Sequence, residues 1–91
     1  MSYSIAYTSA FKKDVKAAKK RGKSMDKLFS IIEQLAEDRT LAPANRGHAL
    51  AKNWGGTREC HIEPDWLLVY EKDENALVLM CMRTGTHADL F

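Results

Sequence analysis

No stretch of this 91-residue chain approaches the roughly 20 consecutive apolar residues that a membrane-spanning helix needs. A membrane role is therefore not expected. The opening Met-Ser-Tyr-Ser-Ile carries no basic segment followed by an apolar one, so no secretory leader is expected either. Cysteine is scarce. Cys60 and Cys81 lie far apart in apolar, strand-like runs, which reads as buried free thiols of a cytoplasmic protein rather than a disulfide. Thiols inside apolar runs also make poor nucleophiles. Metal-ligand spacings are missing: there is no Cys-x-x-Cys and no His-Glu-x-x-His, and the adjacent Cys60 and His61 fall on opposite faces of a strand. Neither a metal site nor any other cofactor is expected. Gly55-Gly56 lacks the further glycine and the Lys-Ser/Thr of a phosphate-cradling loop. Repeats, low-complexity tracts and linkers are absent, which leaves one domain over residues 1–91.

What is present suits a folded domain: 45% apolar residues to build a core and 29% charged residues in mixed order. The net charge of +2 conceals an asymmetry. Eight of the 14 basic residues fall within the first 27 positions, among them Lys12, Lys13, Lys16, Lys19, Lys20, Arg21 and Lys23, against only Asp14 and Asp26. Such a patch is either a footprint for a phosphate backbone or an acidic partner, or simply the solvated face of a helix.

Hydrophobic periodicity orders the chain as β-α-α-β-β-β. Ser2 to Tyr7 alternates, with Tyr3, Ile5 and Tyr7 on one face of a strand. Thr8 or Ser9 caps a helix that runs to about Arg21, with Phe11, Val15 and Ala18 as a narrow apolar stripe. Gly22 fits its left-handed end. Ser24 caps a second helix through about Glu37, burying Leu28, Ile31, Ile32 and Leu35, and the short link makes the two a helical hairpin. After an irregular stretch with turns at Pro43 and Gly55-Gly56, strands are expected over 58–62, 66–71 and 76–83. The fold class is α+β: a small, mostly antiparallel sheet with a helical hairpin on one face.

All three histidines, His48, His61 and His87, lie in the second half of the chain. His61 should point away from the core face shared by Cys60 and Ile62, and His87 follows the last strand. Together with Asp65, Arg83 and the aromatic residues Trp66 and Phe91, they form a set suited to RNA cleavage. RNA supplies its own nucleophile, the 2′-hydroxyl. An enzyme adds a base, an acid and a cation for the developing phosphate charge. Imidazole can take either proton role near neutral pH. A carboxylate such as Asp65 orients it, and Arg83 offers the fixed guanidinium. Trp66 and Phe91 could stack on unpaired bases, although Trp66 sits inside an apolar strand where core packing is the plainer reading. If Thr86 to Phe91 forms one helical turn, His87 and Phe91 share a face.

The residues His48-Ala-Leu, Trp54, Arg58-Glu-Cys-His61-Ile-Glu-Pro-Asp65-Trp66-Leu-Leu-Val-Tyr70 and Arg83-Thr-Gly-Thr-His87-Ala-Asp-Leu-Phe91 closely resemble the YafQ toxins of the RelE/ParE superfamily. The likeness extends to the early Phe11-Lys-Lys-Asp14 segment. It implies a RelE-like toxin of a type II toxin–antitoxin system, a ribosome-dependent mRNA interferase, silenced by a cognate antitoxin and meeting operator DNA only through that complex. It implies catalytic roles for His48, His61, Asp65, Arg83 and His87, with His87 the principal acid or base, and substrate contacts for Trp66 and Phe91. The basic helical region would meet ribosomal RNA or acidic antitoxin side chains. The same superfamily also contains gyrase inhibitors that act by binding, and an inactive antitoxin-binding partner is a further alternative. The histidine set speaks for the enzyme.

Overall fold

Strand β1 (Ser4–Tyr7) leads into helices α1 (Ser9–Lys20) and α2 (Met25–Ala36). A short 3-10 turn (Pro43–Asn45) precedes β2 (His48–Ala49), β3 (Arg58–Glu63), β4 (Trp66–Asp73), β5 (Val78–Gly85) and the four-residue helix α3 (His87–Leu90). This computed structural model describes residues 2–49 and 57–91, with positions 48 and 49 as backbone. Trp54 and the expected turn at Gly55-Gly56 lie outside the described residues.

Local chemistry sets the helix ends. Thr8 Oγ1 accepts from the Phe11 amide at 3.0 Å, capping α1, while its hydroxyl donates to the Met82 carbonyl at 2.7 Å. One side chain thus starts the helix and ties it to β5. Gly22 takes φ +78°, a conformation costly for any residue with a Cβ, and so ends α1. Ser24 Oγ then accepts from the Lys27 amide to open α2.

The sheet order is β1-β5-β4-β3-β2. Its pairings are antiparallel except β1 with β5, which run parallel, and the two helices follow β1 directly. Helix α1 lies against β5, and α2 reaches β3 and β5. Phe11 and Ala18 of α1, and Leu28, Ile31, Ile32, Leu35 and Ala36 of α2, close over Cys60, Ile62, Trp66, Leu68, Tyr70, Leu79 and Cys81. Each large apolar side chain removed from water there stabilises the fold by about 1.5–3 kcal/mol.

The strands differ in extent from the expectation. Ser2 and Tyr3 lie ahead of β1, where the Tyr3 amide donates to the Ala36 carbonyl at 2.7 Å. Tyr3 is buried, whereas Ile5 and Tyr7 stay 40% and 38% exposed because β1 is an edge strand. Strand β5 begins at Val78, two residues late, since Leu77 takes φ 54° and breaks the extended run. At its other end β5 continues past Arg83, pairing Thr84 with Leu68 and Gly85 with Leu67.

Cys60 and Cys81 are free and buried, and burial pushes both thiols up to about 12. They should resist iodoacetamide at about pH 8 and react only on unfolding, which a mass-resolved alkylation series in urea checks. Because the unfolded thiols ionise first, stability falls as pH rises from the ordinary thiol range toward the raised folded values.

Candidate active site

Register brings the site together. On adjacent strands His61 pairs with Leu67, and Leu67 pairs with Gly85, so the three form a row across β3, β4 and β5. Asp65, in the turn between β3 and β4, stands two residues before Leu67. His87 opens α3 two residues after Gly85. Residues far apart in sequence therefore meet at one end of the sheet.

The His87 amide donates to Asp65 Oδ1 at 3.1 Å, and His87 Nδ1 lies 2.7 Å from the same oxygen. The side-chain bond from His87, with the amide bond second, holds the Asp65 carboxyl below its usual range. A carboxylate at Nδ1 places the proton on that nitrogen and leaves Nε2 to face a reacting group. The pair stands in the open, its side chains 55% and 68% exposed. The His61 ring lies with its centroid 6.2 Å from that of His87, tilted by 43°. Its Nδ1 is buried and has no hydrogen-bond partner among the described residues.

Arg83 is held from the helical layer. Its Nε and Nη2 donate to the two oxygens of Asp14 on α1 at 2.6 and 3.1 Å, and Asp14 also accepts from the Thr84 amide at 3.1 Å. The hydrogen bond to Asp14 raises the Arg83 pKa further, so the group is cationic at every relevant pH. Using the Nε/Nη2 edge for Asp14 leaves the Nη1 side of the planar fork for a phosphate. Asp14 was not expected as a site residue. The signal was present: it is the one carboxylate in α1, surrounded by lysines.

Trp66 is not a stacking platform. It is 1% exposed, and its Nε1 donates to Thr84 Oγ1 at 2.9 Å, while the Thr84 hydroxyl donates to the Leu67 carbonyl at 2.7 Å. A buried indole needs such a partner, and once it has one the ring belongs to the core. Lys23 Nζ lies 5.7 Å from its centroid. Phe91 differs: it is 58% exposed, and its amide donates to the His87 carbonyl at 2.8 Å. The backbone turn that relates His87 to Phe91 is formed. Position 48 lies in β2 opposite Glu59, two residues from His61 along the neighbouring strand. The His48 side chain lies outside the described residues.

The basic patch divides into two parts. Lys12, Lys13, Lys16, Lys19 and Lys20 are exposed along α1. Arg21 instead pairs with Asp89 of α3, with contacts of 2.7 and 3.3 Å, and Lys23 lies 3.8 Å from Glu63. Both line the rim of a cavity of about 230 Å³ shared with Asp14, Arg83, Thr86 and Asp89.

The fold is that of small bacterial toxins. The structure overlays the toxin of the E. coli DinJ–YafQ toxin–antitoxin complex with a TM-score of 0.90 and 39% identity, covering 100% of this chain and 99% of that one. It overlays a metal-bound toxin from Helicobacter pylori with a TM-score of 0.93 and 35% identity, covering 98% and 99%. In sequence it is 43% identical over 88 residues to the mRNA interferase toxin YafQ of E. coli strain B, covering 96% of this chain and 94% of that protein. The family model for the YafQ bacterial toxin of type II toxin–antitoxin systems matches residues 3–91, and the chain belongs to that family. Among the described residues no group of three or more His, Cys, Asp and Glu side chains is arranged to hold a metal ion.

Proposed function

We propose that the chain is the toxin of a type II toxin–antitoxin pair and a metal-independent endoribonuclease that cuts messenger RNA. The observation that carries this reading is the 2.7 Å contact between His87 Nδ1 and Asp65, with the His61 ring beside it. Of the two imidazoles, one takes the proton from a 2′-hydroxyl as that oxygen bonds to phosphorus. The other gives a proton to the departing 5′-oxygen as the P–O5′ bond breaks. The products are a 2′,3′-cyclic phosphate and a 5′-hydroxyl. Arg83, fixed by Asp14, neutralises charge on the non-bridging oxygens. Phe91, exposed beside His87, offers a face for an unpaired base. His48, opposite Glu59 and two residues from His61 along the neighbouring strand, completes the set.

The ribosome positions the message, and the lysine face of α1 meets ribosomal RNA or the acidic side chains of a cognate antitoxin. Operator DNA is reached only through the antitoxin complex. Among the described residues no helix is long and apolar enough to cross a membrane, and a messenger RNA substrate agrees with a cytoplasmic protein. Primer extension on a defined message in a translating extract tests this reading, alongside a ribosome-free reaction containing EDTA. Discrete in-frame cuts in the extract are expected, and only weak cleavage of naked RNA. Growth inhibition without any cuts would replace this reading by a binding mechanism of the gyrase-inhibitor kind.

A further inference from the structure

Helix α3 is too short to hold itself. One turn of helix has an unfavourable nucleation free energy, so its place must be fixed from outside. Two carboxylates fix it. Asp65 takes the His87 end, as described above. Asp89 adds three separate attachments. It accepts from the Thr86 amide at 3.0 Å while Thr86 Oγ1 accepts from the Asp89 amide at 3.1 Å, a reciprocal capping box. It receives both terminal nitrogens of Arg21, the residue that caps the C-terminal end of α1. It also packs onto Gly85 so closely that a Cβ there would come within 2.9 Å of Asp89 Cβ and 3.0 Å of Oδ2. The Arg21 bond holds the Asp89 carboxyl far below its usual range, so the attachment is ionised throughout the working pH range.

We infer that Arg21 and Asp89 are a positioning pair for the reaction: they dock α3 against the end of α1 and so set the distance of His87 from His61 and Asp65. This inference rests on the assignment of His87 as a proton-transfer group. Neither residue touches substrate in this role. Arg21, grouped by sequence with the RNA-facing lysines, serves the site through protein contact instead. Displacing a reacting group by about 1 Å costs on the order of a hundredfold in rate, and loosening a single attachment costs a fraction of that.

The test compares Arg21→Gln, Arg21→Lys, Asp89→Asn and the Arg21→Gln/Asp89→Asn double variant in single-turnover cleavage of ribosome-bound message. Lys20→Gln serves as the control for losing one neighbouring charge. Arg21→Gln and Asp89→Asn should each lower the maximal rate by about tenfold, and the double variant should be no slower than either. Thermal midpoints should stay at the wild-type value, and half-saturation should change no more than in Lys20→Gln. Arg21→Lys should recover part of the rate, since it restores the charge without the fork. Two readouts need no activity. Hydrogen exchange of the α3 amides should quicken, and the Asp65 carboxyl, followed by NMR, should titrate nearer its ordinary range as its bond to His87 loosens. An unchanged maximal rate with weakened half-saturation would overturn the inference and return Arg21 to the RNA-facing set. Additive losses in the double variant would overturn the pairing. If the wild type cuts no message, the catalytic reading fails, and unchanged α3 exchange in Arg21→Gln would separately refute the docking.

Discussion

Replacing His87 by alanine should abolish growth inhibition and lower message cleavage by at least about a hundredfold, the scale of losing a positioned acid or base. The fold should survive. His87 is exposed, at the start of a one-turn helix whose cap is formed by Thr86 and Asp89. Purified variant and wild type should therefore melt together, and primer extension should separate them. The companion change, Asp65→Asn, is informative in a different way. The depressed Asp65 carboxyl stays ionised well below the range where histidines exchange protons. The stabilisation it gives is present above the unfolded carboxylate pKa and is lost only as pH falls through the lowered folded value. Its removal should thus lower the rate across the whole neutral range, which a comparison of wild-type and Asp65→Asn pH–rate profiles checks.

The second large effect is expected at Trp66. Truncating this buried ring to alanine should cost about 3–5 kcal/mol. On a domain of this size that lowers the thermal midpoint by roughly 15 °C or more. Toxicity would be lost through unfolding rather than through RNA binding. Trp66→Phe keeps most of the packing but leaves Thr84 Oγ1 without the indole donor, for about 1–3 kcal/mol. Once folded, that variant should bind and cut RNA normally. Phe91→Ala should show the opposite behaviour: an unchanged melting curve with impaired use of message. Differential scanning calorimetry beside cleavage assays distinguishes the two aromatic residues, which composition alone treats alike.

The parts of the fold that sequence revealed are those written in short-range chemistry. Thr8, Gly22 and Ser24 each act on backbone within a few residues, and so they marked the helical layer correctly. The apolar runs beginning at Trp66 and Leu77 identified the central strands for the same reason. The limits of β5 were less legible. Its start depends on the left-handed backbone of Leu77, and its end on pairing with β4, a contact that no local pattern announces. The same division holds at the site. His61, Asp65 and His87 were nameable because their side chains have few ordinary reasons to sit together off a core face. Asp14 and Asp89 were not, because a lone acid on a basic helix and an acid near the end of a short polar tail both pass for surface. Their roles appear only when Arg83 and Arg21 are seen to reach them across the fold. Trp66 was open to two readings until its burial was known.

Asp14 and Arg83 stand 69 positions apart, Arg21 and Asp89 68, and Thr8 and Met82 74. Each of these pairs joins the early part of the chain to its final stretch. During synthesis the helices emerge with their partners still unmade, so the guanidinium has no anchor and the terminal turn no dock. The destructive activity is thereby deferred in time: a chain released early carries the lysine face but no assembled site. Contacts of such long range also close slowly, because the loop entropy is lost before the contact forms.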